Sequence, residues 1–303
     1  MSFELKDISE QRGRIALITG ANTGLGFELA RALAGKKMTV LMACRNQHKA
    51  EAAKSRIVAA LPDADIAILP VDLSSMTSVR DAAARFKARY SRLDVLINNA
   101  GLMFPPYQKT CDGFESQMAV NCFAHFLLSA LLFECFPDSP DSRITWLSSK
   151  AHTKAKLNFA DLNSEQAYSK MAAYGQSKLA CLMYALELDR KIKKSGKKIL
   201  SNAAHPGGAD TDLSRHMSPM LMRCLKYTVL PFIMQSAEKG ALPVLQAAFS
   251  AQAKGGAYYG PQGFMEMTGP AGPANIARQA LDIHAAEKLW SVSEALTGTS
   301  FKL

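Results

Sequence analysis

Tyr174 and Lys178, in Ala-Tyr-Gly-Gln-Ser-Lys, have the types and spacing that proton chemistry asks for. Four residues is about one helical turn, so both side chains leave the same face of a helix. A lysine ammonium beside a phenol favours the phenolate, which suits a hydroxyl that must exchange a proton near neutral pH. The same spacing also arises by chance as a surface pair on a helix. What surrounds the pair therefore has to decide its meaning.

The surroundings alternate between short apolar runs and helical patterns. Strands are expected at 14–19, 38–44, 66–71, 93–98, 143–147 and 198–203, and helices at 24–35, 47–61, 76–90, near 113–136, and at 171–194. Such alternation predicts an α/β protein with a doubly wound Rossmann fold, a single parallel sheet with helices on both faces. The strands are near-continuous apolar runs, as when both faces are covered. No linker divides the chain, so 1–303 reads as a single domain. After Pro206 the pattern changes. Residues 213–235, rich in methionine and interrupted by Pro219 and Pro231, read as an apolar lid over a substrate pocket, as core packing, or as a segment in transient contact with a membrane surface. The extension 255–303 reads as a Gly/Pro-rich loop followed by a final helix at 287–296.

Thr19-Gly20-Ala21-Asn22-Thr23-Gly24-Leu25-Gly26 lies between the first strand and the first helix. Glycines let the backbone turn tightly and approach a pyrophosphate, and the helix N-terminus offers N–H groups and a positive dipole end. The second strand ends in Cys44-Arg45, with no carboxylate at its tip. A 2′-phosphate is met by an arginine at this place and a free ribose hydroxyl by a carboxylate, so Arg45 points to NADP(H). After the third strand, the Asp72 carboxylate in Asp72-Leu73 is placed to accept from an adenine amino group. After the fourth, the small residues of Asn98-Asn99-Ala100-Gly101 allow close packing beneath the cofactor.

Composition excludes several other classes. Hydrophobic residues make up 48% of the 303, enough for a large core. No signal-peptide pattern opens the chain, and no uninterrupted apolar run approaches a membrane span. A cytoplasmic protein without stable membrane insertion is the expectation. The six cysteines form no C-x-x-C and have no metal-like partners at fixed spacing, so no metal is expected. The net charge of +10 is concentrated in part at 190–198, where six of nine residues are basic. This reads as a helix C-terminus with Gly196 as its cap, a pole that favours cations. No aromatic residues interleave with the run, so nucleic-acid binding is not expected.

Together these motifs resemble the short-chain dehydrogenase/reductase family over roughly residues 12–260, and within it the retinol-dehydrogenase and protochlorophyllide-reductase-like branch. The matching residues are the glycine turn, Asp72-Leu73, Asn-Asn-Ala-Gly at 98–101, Asn121, Ser149, Tyr174-x-x-x-Lys178 and Pro206-Gly207. The resemblance implies an NADP(H)-dependent carbonyl reductase or alcohol dehydrogenase acting on a small, apolar molecule. Tyr174 would be the general acid or base. Lys178 would assist it and bond the nicotinamide ribose. Ser149, with Ser148 as the fallback, would hydrogen-bond the substrate oxygen. Asn121 would hold a water that links Lys178 to solvent. Pro206 and Gly207 would lie beside the nicotinamide, and Thr211 would bond its carboxamide. His205 and His125 are expected to be structural. Family assemblies put a homodimer among the options. Two alternatives remain: a non-catalytic NADP(H) sensor or scaffold, and light-driven reduction of a tetrapyrrole.

Overall fold

The computed structural model describes residues 2–208 and 234–303. Its strands are β1 (Ile15–Thr19), β2 (Thr39–Cys44), β3 (Ile66–Pro70), β4 (Val95–Asn98), β5 (Arg143–Leu147), β6 (Leu200–Ala204), β7 (Tyr258–Pro261) and β8 (Ala271–Pro273). They form one sheet in the order β3-β2-β1-β4-β5-β6-β7-β8. The order reverses beside β1, between β1 and β4, and that switch point opens a crevice at the strands' carboxyl ends.

Alternate strand residues feed two cores, because successive side chains in a strand point to opposite faces. Leu17, Leu41 and Leu96 face α3 (Met76–Arg89), α5 (Ala124–Leu132), α6 (Lys170–Lys194) and α8 (Ile283–Thr297). Ala16, Ile18, Val40 and Ile97 face α1 (Gly24–Gly35), α2 (Gln47–Ala60) and α7 (Ala237–Phe249). A short helix, α4 (Ser116–Met118), runs through a π turn (Ala119–Phe123) into α5.

Two expectations need correction. The sheet is not wholly parallel: β8 runs antiparallel to β7, pairing Tyr259 with Pro273. The segment expected as a Gly/Pro-rich loop supplies both strands. Its Tyr258 and Tyr259 alternate onto the two cores, while proline, which lacks an N–H, is tolerated at the sheet's edge. The second concerns hydropathy. Ser116–Cys135 is long and apolar enough to cross a membrane by composition, with 83% of its window buried inside the fold. It serves here as a core helix. The basic run ends α6 as expected, and Gly196 takes a left-handed φ of 79° just past the helix. Several of its cations are paired, among them Lys193 with Asp189 at 2.6 Å and Arg190 with Glu187 at 2.7 Å.

Candidate active site

The glycine turn closes tightly because Gly26 has no side chain. A Cβ there would strike the Gly20 carbonyl oxygen and stand 2.7 Å from Asn99 Nδ2. The turn brings Gly20, Asn22, Thr23, Gly24, Leu25 and Gly26 to one wall of a cavity of about 850 Å³. Arg45, at the tip of β2, lines the same cavity with its side chain 69% exposed and 3.9 Å from Asp72 Oδ1. Asp72 Oδ1 accepts from the main-chain N and the hydroxyl of Ser74. Leu73 completes that wall, and so do Asn46 and Lys49, which the sequence reading did not single out.

Asn99, Ala100 and Gly101 line the cavity floor after β4. Asn99 Nδ2 donates to the Thr19 carbonyl at 2.7 Å, tying β4 to β1. Thr19 Oγ1 accepts from the N–H groups of Asn99 at 2.9 Å and Ala100 at 3.0 Å. Its own proton then points to His125 Nε2 at 2.8 Å, which leaves His125 Nδ1–H to donate to the Asn121 carbonyl at 3.0 Å. Burial lowers the His125 pKa to about 4, so the ring stays neutral. This residue, expected as packing, therefore carries a buried chain of hydrogen bonds from the cofactor floor to Asn121.

Tyr174 and Lys178 both line the cavity from one turn of α6, and both are buried. Lys178 Nζ donates to the Leu147 carbonyl at 3.0 Å, where β5 ends, and lies 5.8 Å from the centre of the Tyr174 ring. The two serines after β5 part company. Ser148 Oγ donates to the Lys178 carbonyl and is buried. Ser149 lines the cavity beside Ser148, and its hydroxyl accepts from Ala151 N at 3.2 Å at the start of a short 3₁₀ turn. Asn121 stands just behind the cavity in the π turn. Its amide is engaged with Leu102 N at 2.7 Å, Leu102 O at 3.0 Å and Ser177 Oγ at 2.8 Å.

Phe104 went unremarked in the sequence. It has φ 60°, a left-handed conformation that costs energy for a bulky residue. Gln117 Oε1 accepts from its N–H at 3.1 Å, and its ring meets Tyr174 edge-on at 5.3 Å. No sequence motif signals this. Left-handed backbone at an aromatic residue is set by the loop's partners.

Pro206 and Gly207 follow β6 and line the cavity. Gly207 has φ 67°, and a Cβ there would collide with the Met267 carbonyl. Thr211 and nearly all of the expected lid at 213–235 lie outside the described residues. Met234, at the described end of that segment, and Met267 both line the cavity. His205 is buried, and burial brings its pKa down to about 4. Among the described residues, no group of three His, Cys, Asp or Glu side chains is placed to hold a metal ion.

The site is thus a long crevice with a helix N-terminus and an arginine at one end and a Ser/Tyr/Lys cluster at the other. A small Gly/Ala floor without Cβ bulk at Gly20, Gly26 and Gly101 suits a flat dinucleotide laid across it. Comparison with known proteins agrees. Residues 14–221 match the family model described as short chain dehydrogenase. The chain is 36% identical to mouse (Mus musculus) retinol dehydrogenase 12 over 96% of its length and 88% of that protein. It is 36% identical to mouse polyprenol dehydrogenase, covering 95% of this chain and 85% of that one. A crystal structure of an uncharacterised protein from Mycobacterium paratuberculosis superposes with a TM-score of 0.83 at 36% identity, covering 100% of both chains.

Proposed function

The chain belongs to the short chain dehydrogenase family and is an oxidoreductase that uses a nicotinamide cofactor; from that premise we propose that it is an NADP(H)-dependent carbonyl reductase or alcohol dehydrogenase with an apolar substrate. The observation that carries the reading is the convergence of Tyr174, Lys178 and Ser149 on one cavity whose far end holds Arg45 and the glycine turn.

In this reading the bound cofactor supplies or accepts the hydride. Gly20, Asn22, Thr23, Gly24, Leu25 and Gly26 hold its pyrophosphate, and Asp72 and Leu73 receive the adenine. Asn99, Ala100 and Gly101 lie under it. Arg45 meets the 2′-phosphate, with Lys49 adding positive charge nearby. Pro206, Gly207 and Thr211 take the nicotinamide end. Tyr174 donates its hydroxyl proton to the substrate oxygen in reduction and removes it in oxidation. Lys178, held by Leu147, favours the phenolate and binds the ribose. Ser149 donates to the substrate oxygen as charge develops there. Asn121 shapes the Lys178 end of a water path to solvent.

An apolar substrate is supported by the cavity wall, where Met103, Phe104, Met234 and Met267 stand. The relatives are named for retinol and polyprenol, both long apolar alcohols. A cytoplasmic location, a homodimer and the absence of stable membrane insertion complete the proposal; cell fractionation and light scattering check these. The main experiment measures NADPH oxidation across aldehydes, ketones, quinones and retinoids, with NADH in parallel. Turnover with NADPH well above that with NADH is expected. Equal rates with the two would remove the NADP(H) assignment.

A further inference from the structure

Glu266 lies in no motif, yet its carboxylate binds Lys150, the neighbour of Ser149. It sits on a strap between β7 and β8. Its φ is 57° and that of Met265 is 50°, two consecutive L-residues in left-handed backbone. Such strain persists only where the surroundings over-determine it, and here they do. The Glu266 side chain is 11% exposed and accepts from Lys150 Nζ at 3.0 Å. Its other oxygen accepts from Asn275 N at 3.1 Å and from Asn275 Nδ2. The neutral His205 ring packs beside the carboxylate, with Nε2 3.4 Å from the oxygen that holds Lys150 but not aligned for a hydrogen bond. Gly207 N donates to His205 Nδ1 at 3.3 Å, which puts the ring proton on Nε2, facing the carboxylate.

The two residues that meet at this carboxylate are adjacent in sequence to residues of the site. Lys150 directly follows Ser149, and His205 directly precedes Pro206-Gly207. Further ties run in parallel. Gly208 N donates to the Met267 carbonyl at 2.8 Å. His152 Nδ1 donates to the Ser149 carbonyl at 2.7 Å, and its Nε2 accepts from Ala277 N at 3.3 Å. Burial alone would raise the Glu266 carboxyl, but the Lys150 and Asn275 donors outweigh it and hold it below the usual carboxylate range. The carboxylate is therefore charged when it meets Lys150.

We propose that Glu266 is a positioning residue for the reaction: by binding Lys150 against the His205 ring, it fixes Ser149 and the Pro206-Gly207 turn relative to each other. The chemistry it serves rests on the reading of Ser149 and Tyr174 given above. A strap from the C-terminal part of the sheet thereby sets the distance between the substrate oxygen's hydrogen-bond donor and the nicotinamide's seat. Small displacements of such groups are costly to rate, about a hundredfold for an ångström.

The test is Glu266→Gln, which keeps the volume and removes the charge, with Lys150→Met and the double variant. Steady-state kinetics, NADPH affinity by fluorescence titration and thermal melting are read on each. For Glu266→Gln, kcat is expected to fall about 10- to 100-fold. NADPH affinity should change by less than about fivefold, because the Arg45 end is untouched. The double variant should lose no more than about threefold beyond the worse single variant, since both act through one contact. If Glu266→Gln does not fold, Glu266→Asp, which keeps the charge on a shorter arm, carries the same measurements. A kcat within twofold of the parent, a loss confined to melting temperature, or fully multiplicative effects would overturn the proposal. Inactivity of the parent protein, or an inert Tyr174→Phe, would instead overturn the underlying assignment of function.

Discussion

Ser148 Oγ donates to the main-chain carbonyl of Lys178 at 2.7 Å, so the end of β5 is bonded to the helix turn that carries Tyr174 and Lys178. Lys178 returns the contact through Nζ to Leu147 O. Both serines line the cavity, but Ser148 spends its hydroxyl proton on the Lys178 carbonyl, while the Ser149 hydroxyl accepts from Ala151 N.

That division predicts opposite outcomes for two neighbouring substitutions. Ser149→Ala should lower kcat/KM by about 10²- to 10³-fold, as for loss of one donor to a developing oxyanion, with little change in melting temperature. Ser148→Ala should cost about 0.5–1.5 kcal/mol of stability, from the loss of one buried hydrogen bond to a helix carbonyl, and keep most of the activity. Kinetics and denaturant melts on the two variants check this, and a reversed pattern would make Ser148 the substrate's partner.

Tyr174→Phe removes the proton donor and leaves the ring that packs against Phe104. Turnover should drop by about 10²- to 10⁴-fold, the usual worth of general acid–base catalysis. NADPH affinity should stay within a few-fold of the parent. Stopped-flow hydride transfer, followed at the reduced-nicotinamide absorbance, gives the answer.

Arg45 is largely exposed and its nearest carboxylate, Asp72, is 3.9 Å away, so the guanidinium is available for a phosphate. Arg45→Ala should weaken NADPH by about 1.5–3 kcal/mol, the worth of a charge-assisted hydrogen bond, and leave NADH almost unaffected. A parallel loss for both cofactors would mean that Arg45 does not read the 2′-phosphate.

His125 and His205 are buried with pKa values of about 4, below the 6.5 of a free histidine. Between those values the unfolded chain binds protons that the folded chain does not. Stability is therefore full above pH 6.5 and is lost as pH falls toward 4, on the order of 2 kcal/mol per residue by pH 5. Urea melts of the protein and of His125→Asn at pH 7 and pH 5 measure this, and the variant should show the smaller drop. It should also lose stability at pH 7, because Thr19 and Asn121 lose a buried partner.

Much of the fold was legible because its signals are local. The helices at 24–35 and 47–60 and the strand at 143–147 follow from short apolar runs and a glycine turn. β7 and β8 were not legible, since a Gly- and Pro-rich stretch becomes strand only when β6 offers it an edge. Helix α7, with Pro243 inside it, was also missed; its apolar face matters only against that same sheet.

By itself the sequence determined the chemistry at hand: a phenol and an ammonium one turn apart, a serine after a strand, and glycines where a phosphate must come close. Those are requirements of residue type and spacing, and they are written along the chain. Only the tertiary structure decided which of two serines spends its hydroxyl on the Lys178 carbonyl, that His125 links Thr19 to Asn121, that Phe104 is pressed against Tyr174, and that Glu266 binds Lys150 beside the His205 ring. These are contacts between residues up to 116 positions apart. They depend on how β-strands and straps come together in space, and no local pattern records that.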